Sequence, residues 1–179
     1  GMQRIGNRSG FCLPDSSSLI SIEFNNFLLD PKEFAEILQG LAGDHEGGLF
    51  LSDKGTSRIY RFLPDGKLDP SFKLQELDAA TGKPILKEPE SMAVYQDRLF
   101  VANEGTGEIK IFHRRSGNLI GSAQGFGADV FGGDVEGLAV HGDYLFAVDV
   151  QKSRIAVFDI KGEWPIFLSA FVGEFESAD

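Results

Sequence analysis

Glu136-Gly137-Leu138-Ala139-Val140, then Leu145-Phe146-Ala147-Val148-Asp149, then Ser153-Arg154-Ile155-Ala156-Val157-Phe158 and Lys161-Gly162 form one pattern that the chain writes three times. The copy before it reads Glu90-Ser91-Met92-Ala93-Val94, Leu99-Phe100-Val101-Ala102-Asn103, Glu108-Ile109-Lys110-Ile111-Phe112 and Ser116-Gly117. The first reads Gly40-Leu41-Ala42, Gly48-Leu49-Phe50-Leu51-Ser52-Asp53, Ser57-Arg58-Ile59-Tyr60-Arg61-Phe62 and Asp65-Gly66. Asp53, Asn103 and Asp149 hold one place in the pattern and recur 50 and then 46 positions apart, the length of a four-stranded repeat. Short apolar segments bounded by Gly, Asp, Asn and Ser read as strands joined by tight turns. A fourth strand in each copy is expected at Phe72 and Leu74, at Leu119 and Ile120, and at Ile166 to Phe171.

The fold class expected is therefore all-β, a β-propeller made of four-stranded blades, at about residues 36–75, 88–124 and 134–173. A β-sandwich also spaces its strands evenly, but it gives no reason for the same pattern to recur. Residues 1–35 stand apart as an N-terminal segment: a loop, a partial blade or a short helix. Ser18 to Phe24 has strand character, whereas Asp30, Pro31 and Glu33 form a helix-start signal ahead of Phe34, Ile37, Leu38 and Leu41 at helical spacing. Both readings stay open. Closed propellers use four to eight blades, so about three per chain leaves the ring incomplete. Two chains making six blades is the favoured route, beside a fourth blade built from the N-terminal segment and a truncated gene product. A homodimer is thus the expected assembly.

With 42% hydrophobic residues among 179, the chain can build a core, and 16 Phe with 22 Gly suit short strands and turns. A net charge of −10 repels nucleic acid and anionic membrane, and both are set aside as partners. The single Cys12 cannot form an internal disulfide, and no apolar run approaches a membrane span. Gly1 before Met2 resembles a tag-cleavage scar and nothing after it reads as a signal peptide, so the cytoplasm is the default location, and export the reading if the chain was trimmed.

In an antiparallel hairpin, facing residues are equidistant from the turn. Counting back from Gln96-Asp97, Glu90 faces Asn103; from Gly142-Asp143, Glu136 faces Asp149; from a longer turn around Glu46, Gln39 faces Asp53. These pairs are expected to ring one mouth of a central channel. Their oxygens suit a hard divalent cation, most plausibly Ca²⁺, so Glu90, Glu136, Asn103, Asp149 and Asp53 are the candidate ligands. Each Asx at a strand end also suits a turn, where its side chain receives backbone N–H groups two residues on. Arg58 and Arg154 read as solvated or paired with a neighbouring blade, and His45, His113 and His141 as surface. Gly125-Phe126-Gly127 lacks the third glycine of a dinucleotide loop, and no nucleophile elbow occurs. The Gly-rich stretch from Gly121 to Asp134 reads as a connection at the channel mouth, placed to contact a ligand.

The third copy, with Glu136 to Val140, Leu145 to Asp149 and Ser153 to Phe158, resembles a blade of the NHL and SMP-30 type six-bladed propellers. The first copy, with Asp44-His45-Glu46-Gly47-Gly48 as its turn, resembles them too, over roughly residues 36–173. Asp134-Val135-Glu136-Gly137 ahead of Val148-Asp149-Val150-Gln151 is most similar to β-propeller phytases and phytase-like proteins. The resemblance implies metal ligands at the residue before the first strand's glycine, which is Glu136, and Glu90 in the second copy, where Ser91 replaces the glycine. Two functions follow as expectations. One is a Ca²⁺-dependent hydrolase of a phosphoester or lactone, with Glu90 or Glu136 as catalytic base on a small-molecule substrate. The other is a non-catalytic propeller that binds a peptide, sugar or partner protein.

Overall fold

The repeated turns impose one backbone geometry, even where the residues differ. Gln96 and Gly142 open equivalent hairpin turns with φ of 52° and 56°, and Ser57, Gly107 and Ser153 share the left-handed region at the next turn, with φ of 55°, 63° and 48°. Between these turns the computed structural model, which describes residues 38–124 and 131–172, has strands β1 (Leu38–Gly43), β2 (Leu49–Asp53) and β3 (Arg58–Phe62) in one sheet. A second sheet holds β4 (Pro89–Tyr95), β5 (Arg98–Asn103), β6 (Glu108–His113) and β7 (Leu119–Ala123). The third holds β8 (Val135–His141), β9 (Tyr144–Asp149), β10 (Arg154–Asp159) and β11 (Ile166–Val172). Each sheet is antiparallel and follows chain order, so the chain is all-β as expected. Ile59, Ile109 and Ile155 occupy one position, facing Ser52, Ala102 and Val148.

Phe72 and Leu74 form no strand of the first sheet, which has three strands among the described residues. Phe62 pairs with Leu68 in a single bridge, and the Asp69 N–H still reaches the Arg61 carbonyl at 2.7 Å. Pro70 then has no N–H to extend a ladder. The Asp69 carboxylate turns inward to Arg61 and to the Ser71 N–H. Beyond it the chain leaves the β3 edge and runs along the turn before β7, with Lys73 N–H on the Ser116 carbonyl at 3.0 Å and Gln75 N–H on that of Gly117 at 2.9 Å. Gly117 is required there, because a Cβ would sit 2.6 Å from the Lys73 carbonyl oxygen. Of the helical positions read in the N-terminal segment, Leu38 and Leu41 lie in β1. The rest of that segment lies outside the described residues.

Strand β4 lies between β1 and β8, and the sheets stack in order. One face of the second sheet presents Met92, Val94, Leu99, Val101 and Phe112 to Phe50 and Ile59 of the first, with Phe72, Ile85 and Leu86 from the connecting chain filling the layer. Phe50 and Phe72 meet edge to face at 5.6 Å. The opposite face presents Ala93, Phe100, Ala102, Ile109 and Ile111 to Leu145, Ala147, Ala156 and Phe158 of the third.

A buried charge network clamps the first turn to the second sheet. The Asp44 carboxylate, with no exposed side-chain surface, receives Arg61 at 2.6 Å and the N–H groups of Gly48 at 2.7 Å and Glu46 at 2.9 Å. Arg114, at the end of β6, reaches the Asp44 carbonyl at 2.9 Å and Glu46 at 3.1 Å. Burial alone raises the Asp44 carboxyl, but Arg61 and the two N–H donors outweigh it and hold the group below its ordinary value. Asp69 is lowered in the same way, burial being outweighed by Ser71 and Arg61.

Asp44→Asn leaves Arg61 with Asp69 as its one buried carboxylate and is expected to cost about 1–3 kcal/mol, read from urea midpoints. The stability from Asp44 and Asp69 is whole above the unfolded carboxyl range, about pH 4, and is lost as pH falls through their lower folded values. An acid titration of the variant should lack part of that loss. Gln96→Gly relieves a left-handed residue on an exposed turn, and a gain of about 0.5–1 kcal/mol is expected in the same assay.

Candidate functional site

Pairing counted back from each hairpin turn holds for Tyr95 with Arg98 and on to Met92 with Val101, and for His141 with Tyr144 and on to Leu138 with Ala147. It then slips by one residue in every first strand. Pro89 faces Asn103, Val135 faces Asp149 and Leu38 faces Asp53, so Glu90, Glu136 and Gln39 do not face the Asx residues as the count requires. The reason is a β-bulge at the same place in each first strand, an extra residue that alternation of polar and apolar positions does not reveal.

The bulges are where neighbouring first strands touch. Ser52 Oγ donates to the Glu90 carbonyl at 2.6 Å and accepts from the Gly40 N–H at 2.9 Å. A Cβ on Gly40 would lie 2.1 Å from that carbonyl oxygen, so only glycine admits the approach. On the next sheet the Leu138 N–H donates to Ser91 Oγ at 3.0 Å, which gives the serine that replaces the repeat's glycine a role of its own.

The Asx residues at the strand ends are engaged in turns and connections. Asp53 accepts from the N–H groups of Gly55 at 3.0 Å and Thr56 at 3.2 Å and from the Thr56 hydroxyl at 2.6 Å. Asn103, fully buried, accepts from the Lys87 N–H and donates to Thr106 Oγ1, each at 2.7 Å. Asp149, also fully buried, accepts from the Gly132 N–H at 3.0 Å and from Arg154 Nε at 2.9 Å. Arg58 pairs with Glu76 at 3.0 Å. His45 and His141 are exposed, and His113 Nδ1 accepts from the N–H groups of Arg115 and Ser116 in its own turn. Gly121 to Gln124 and Phe131 to Asp134 flank the Gly-rich connection, whose residues 125–130 lie outside those described.

Glu90 is held by a cation that the sequence reading passed over. Lys54 Nζ lies 2.8 Å from Glu90 Oε1 and also bonds Glu104, bridging the first and second sheets. Burial raises the Glu90 carboxyl, the Lys54 ammonium draws it back, and a hydrogen bond with the Glu104 carboxyl adds to the rise. Glu104 is lowered, chiefly by Lys54, and the Lys54 ammonium is raised by its bonds to Glu104 and then Glu90. Lys54 and Glu104 each follow the Asx that ends a second strand, so they hold the same repeat position on adjacent sheets. Comparing that position across the copies, Lys54, Glu104 and Val150, was the signal that marks them. Glu136 is exposed at its bulge.

No protein-family model and no curated protein matches the chain. Its backbone is similar to that of the computationally designed Ika8 protein, with a TM-score of 0.52 and 14% identity over 76% of this chain and 37% of that one. It is similar also to the computationally designed Ika4 protein, with a TM-score of 0.53 and 15% identity over 76% and 73% of the two chains. The chain thus spans little more than a third of the Ika8 protein and about three quarters of Ika4, and at these identities the likeness is one of fold alone.

Lys54→Met strands two carboxyls against each other and is expected to cost about 1–2 kcal/mol at neutral pH, the pair being partly exposed. A carboxyl whose folded pKa is raised binds its proton more tightly folded than unfolded, so acidification stabilises the fold through that window. The variant's melting temperature should therefore recover, as the pH is lowered from neutral toward the ordinary carboxyl range, more than the native protein's does.

Proposed function

We propose that the three sheets are successive blades of a β-propeller, with β1, β4 and β8 as channel-lining strands, and that the chain is a non-catalytic module binding a cationic segment of a partner protein or peptide at its acidic mouth. The observation that carries this reading is the Lys54 ammonium between Glu90 and Glu104, a charge of the chain's own already serving the carboxyls that a metal ion would serve. The oxygens of Asp53, Asn103 and Asp149 are likewise spent on hydrogen bonds that shape the turns and connections. What remains for a partner is exposed acidic surface such as Glu136, within a net charge of −10 that gathers cationic segments.

One observation favours the second reading, a Ca²⁺-dependent hydrolase. Glu90 and Glu136 both occupy the bulge of neighbouring first strands, the place where paired carboxylates would take a hard cation. In that reading they would hold the ion, and the ion would polarise a phosphoryl or lactone oxygen.

Thermal melts in Ca²⁺ and in chelator separate the two. For the binding module they should coincide. An ion at a hundredfold excess over its Kd stabilises by about 2.7 kcal/mol, which for a chain of this size moves the melt by roughly 5–10 °C. Such a shift, shrunk by Glu136→Gln, would reinstate the hydrolase. Calorimetric titration with a lysine-rich peptide should show binding that weakens with salt and with Glu136→Gln.

A further inference from the structure

The stack of sheets ends on two apolar faces that match the faces buried inside it. In the second sheet Ala93, Phe100, Ala102, Ile109 and Ile111 are all under 8% exposed, because the third sheet covers them. The same repeat positions in the third sheet are Ala139, Phe146, Val148, Ile155 and Val157; Val157 is 6% exposed, whereas Val148 and Ile155 are each 39% exposed and Phe171, paired beside Ile155, is 59% exposed. At the other end, Leu41 and Leu49 stand where Met92 and Leu99 stand in the second sheet. They are 64% and 39% exposed, against 4% and 0% for their buried counterparts, while Leu51 and Phe62 on the same face are 6% and 7% exposed, so the open part of this face is the one at Leu41 and Leu49. Each end therefore carries one half of the interface that the chain already makes with itself between consecutive sheets.

We propose that these two faces cover each other between two copies of this chain, the outer face of the third sheet seating on the outer face of the first sheet of its partner, twice over, so that two chains close one ring of six sheets. The occupant is set by continuity with the internal interfaces. Val148 and Ile155 hold the positions at which Ala102 and Ile109 face the next sheet, and Leu41 and Leu49 hold the positions at which Met92 and Leu99 face the preceding one. Such a contact is heterologous, one patch on a different patch, and it either closes at a fixed number of copies or grows without end. This inference rests on the propeller reading of the stack and is independent of what the mouth binds.

Light scattering on the native protein at micromolar concentration should give twice the chain mass of 19.5 kDa. Ile155→Glu and Leu41→Glu, and Val148→Lys as a second variant of the first face, should each give the single-chain mass with unchanged far-ultraviolet circular dichroism. An equal mixture of Ile155→Glu and Leu41→Glu should regain the doubled mass, because one of its two interfaces is then intact on both sides. A native monomer overturns the proposal, as does a mass beyond two chains. Leu41→Glu remaining dimeric while Ile155→Glu does not shows like faces pairing, and overturns it too. None of these outcomes alters the calcium or peptide measurements, which judge the mouth separately.

Discussion

The second sheet is apolar on both faces, and a sheet of that kind is stable in water only between two others. Most of the described structure serves that constraint. The first and third sheets supply the covering faces, and the connecting chain supplies Phe72, Ile85 and Leu86 to one layer and Phe131 and Ile160 to the other, where strand residues alone leave the edges open. The long connection after β3 is explained the same way. It gives up a fourth strand in the first sheet so that Phe72 can reach the layer beneath, and its backbone is satisfied by the turn at Ser116 and Gly117.

Two charge clusters stand at opposite ends of the hairpins around this core. At one end of the hairpins Asp44, Arg61, Asp69 and Arg114 are nearly or wholly buried, and they lock the first sheet to the second. At the other end Lys54 links the same two sheets through Glu90 and Glu104, in a partly exposed setting where the carboxyls still titrate away from their ordinary values. The two clusters use the same kind of bond for different ends. Deep burial makes the first structural, because either ion alone is costly there. Partial exposure leaves the second reachable, and Glu136, at the equivalent bulge of the next sheet, is exposed.

Strand identity, turn positions and the three-fold recurrence were legible in the chain, because alternation and turn chemistry are local properties of neighbouring residues. Register was legible for as long as the ladder ran without interruption from each turn. It failed at Glu90, Glu136 and Gln39, because a bulge depends on how closely the next sheet's first strand approaches, as Gly40 and the Glu90 carbonyl show. The missing strand at Phe72 failed for a related reason: an apolar alternation says that a side chain is buried, not which layer buries it.

What the sequence by itself determined is the repeat, the all-β class and the positions of the Asx residues, each of which follows from side-chain chemistry acting within a few residues. The Asp53 turn, two and three residues long, belongs with these local readings, whereas tertiary structure alone decided that Asn103 and Asp149 accept from Lys87 and Gly132 of the connecting chain, that Lys54 bridges Glu90 to Glu104 across two sheets, and that Arg61 and Arg114 meet at Asp44. The reach from Arg114 to Asp44 spans 70 residues and those from Lys54 span 36 and 50, and only the stacking of one sheet on the next brings these partners within bonding distance.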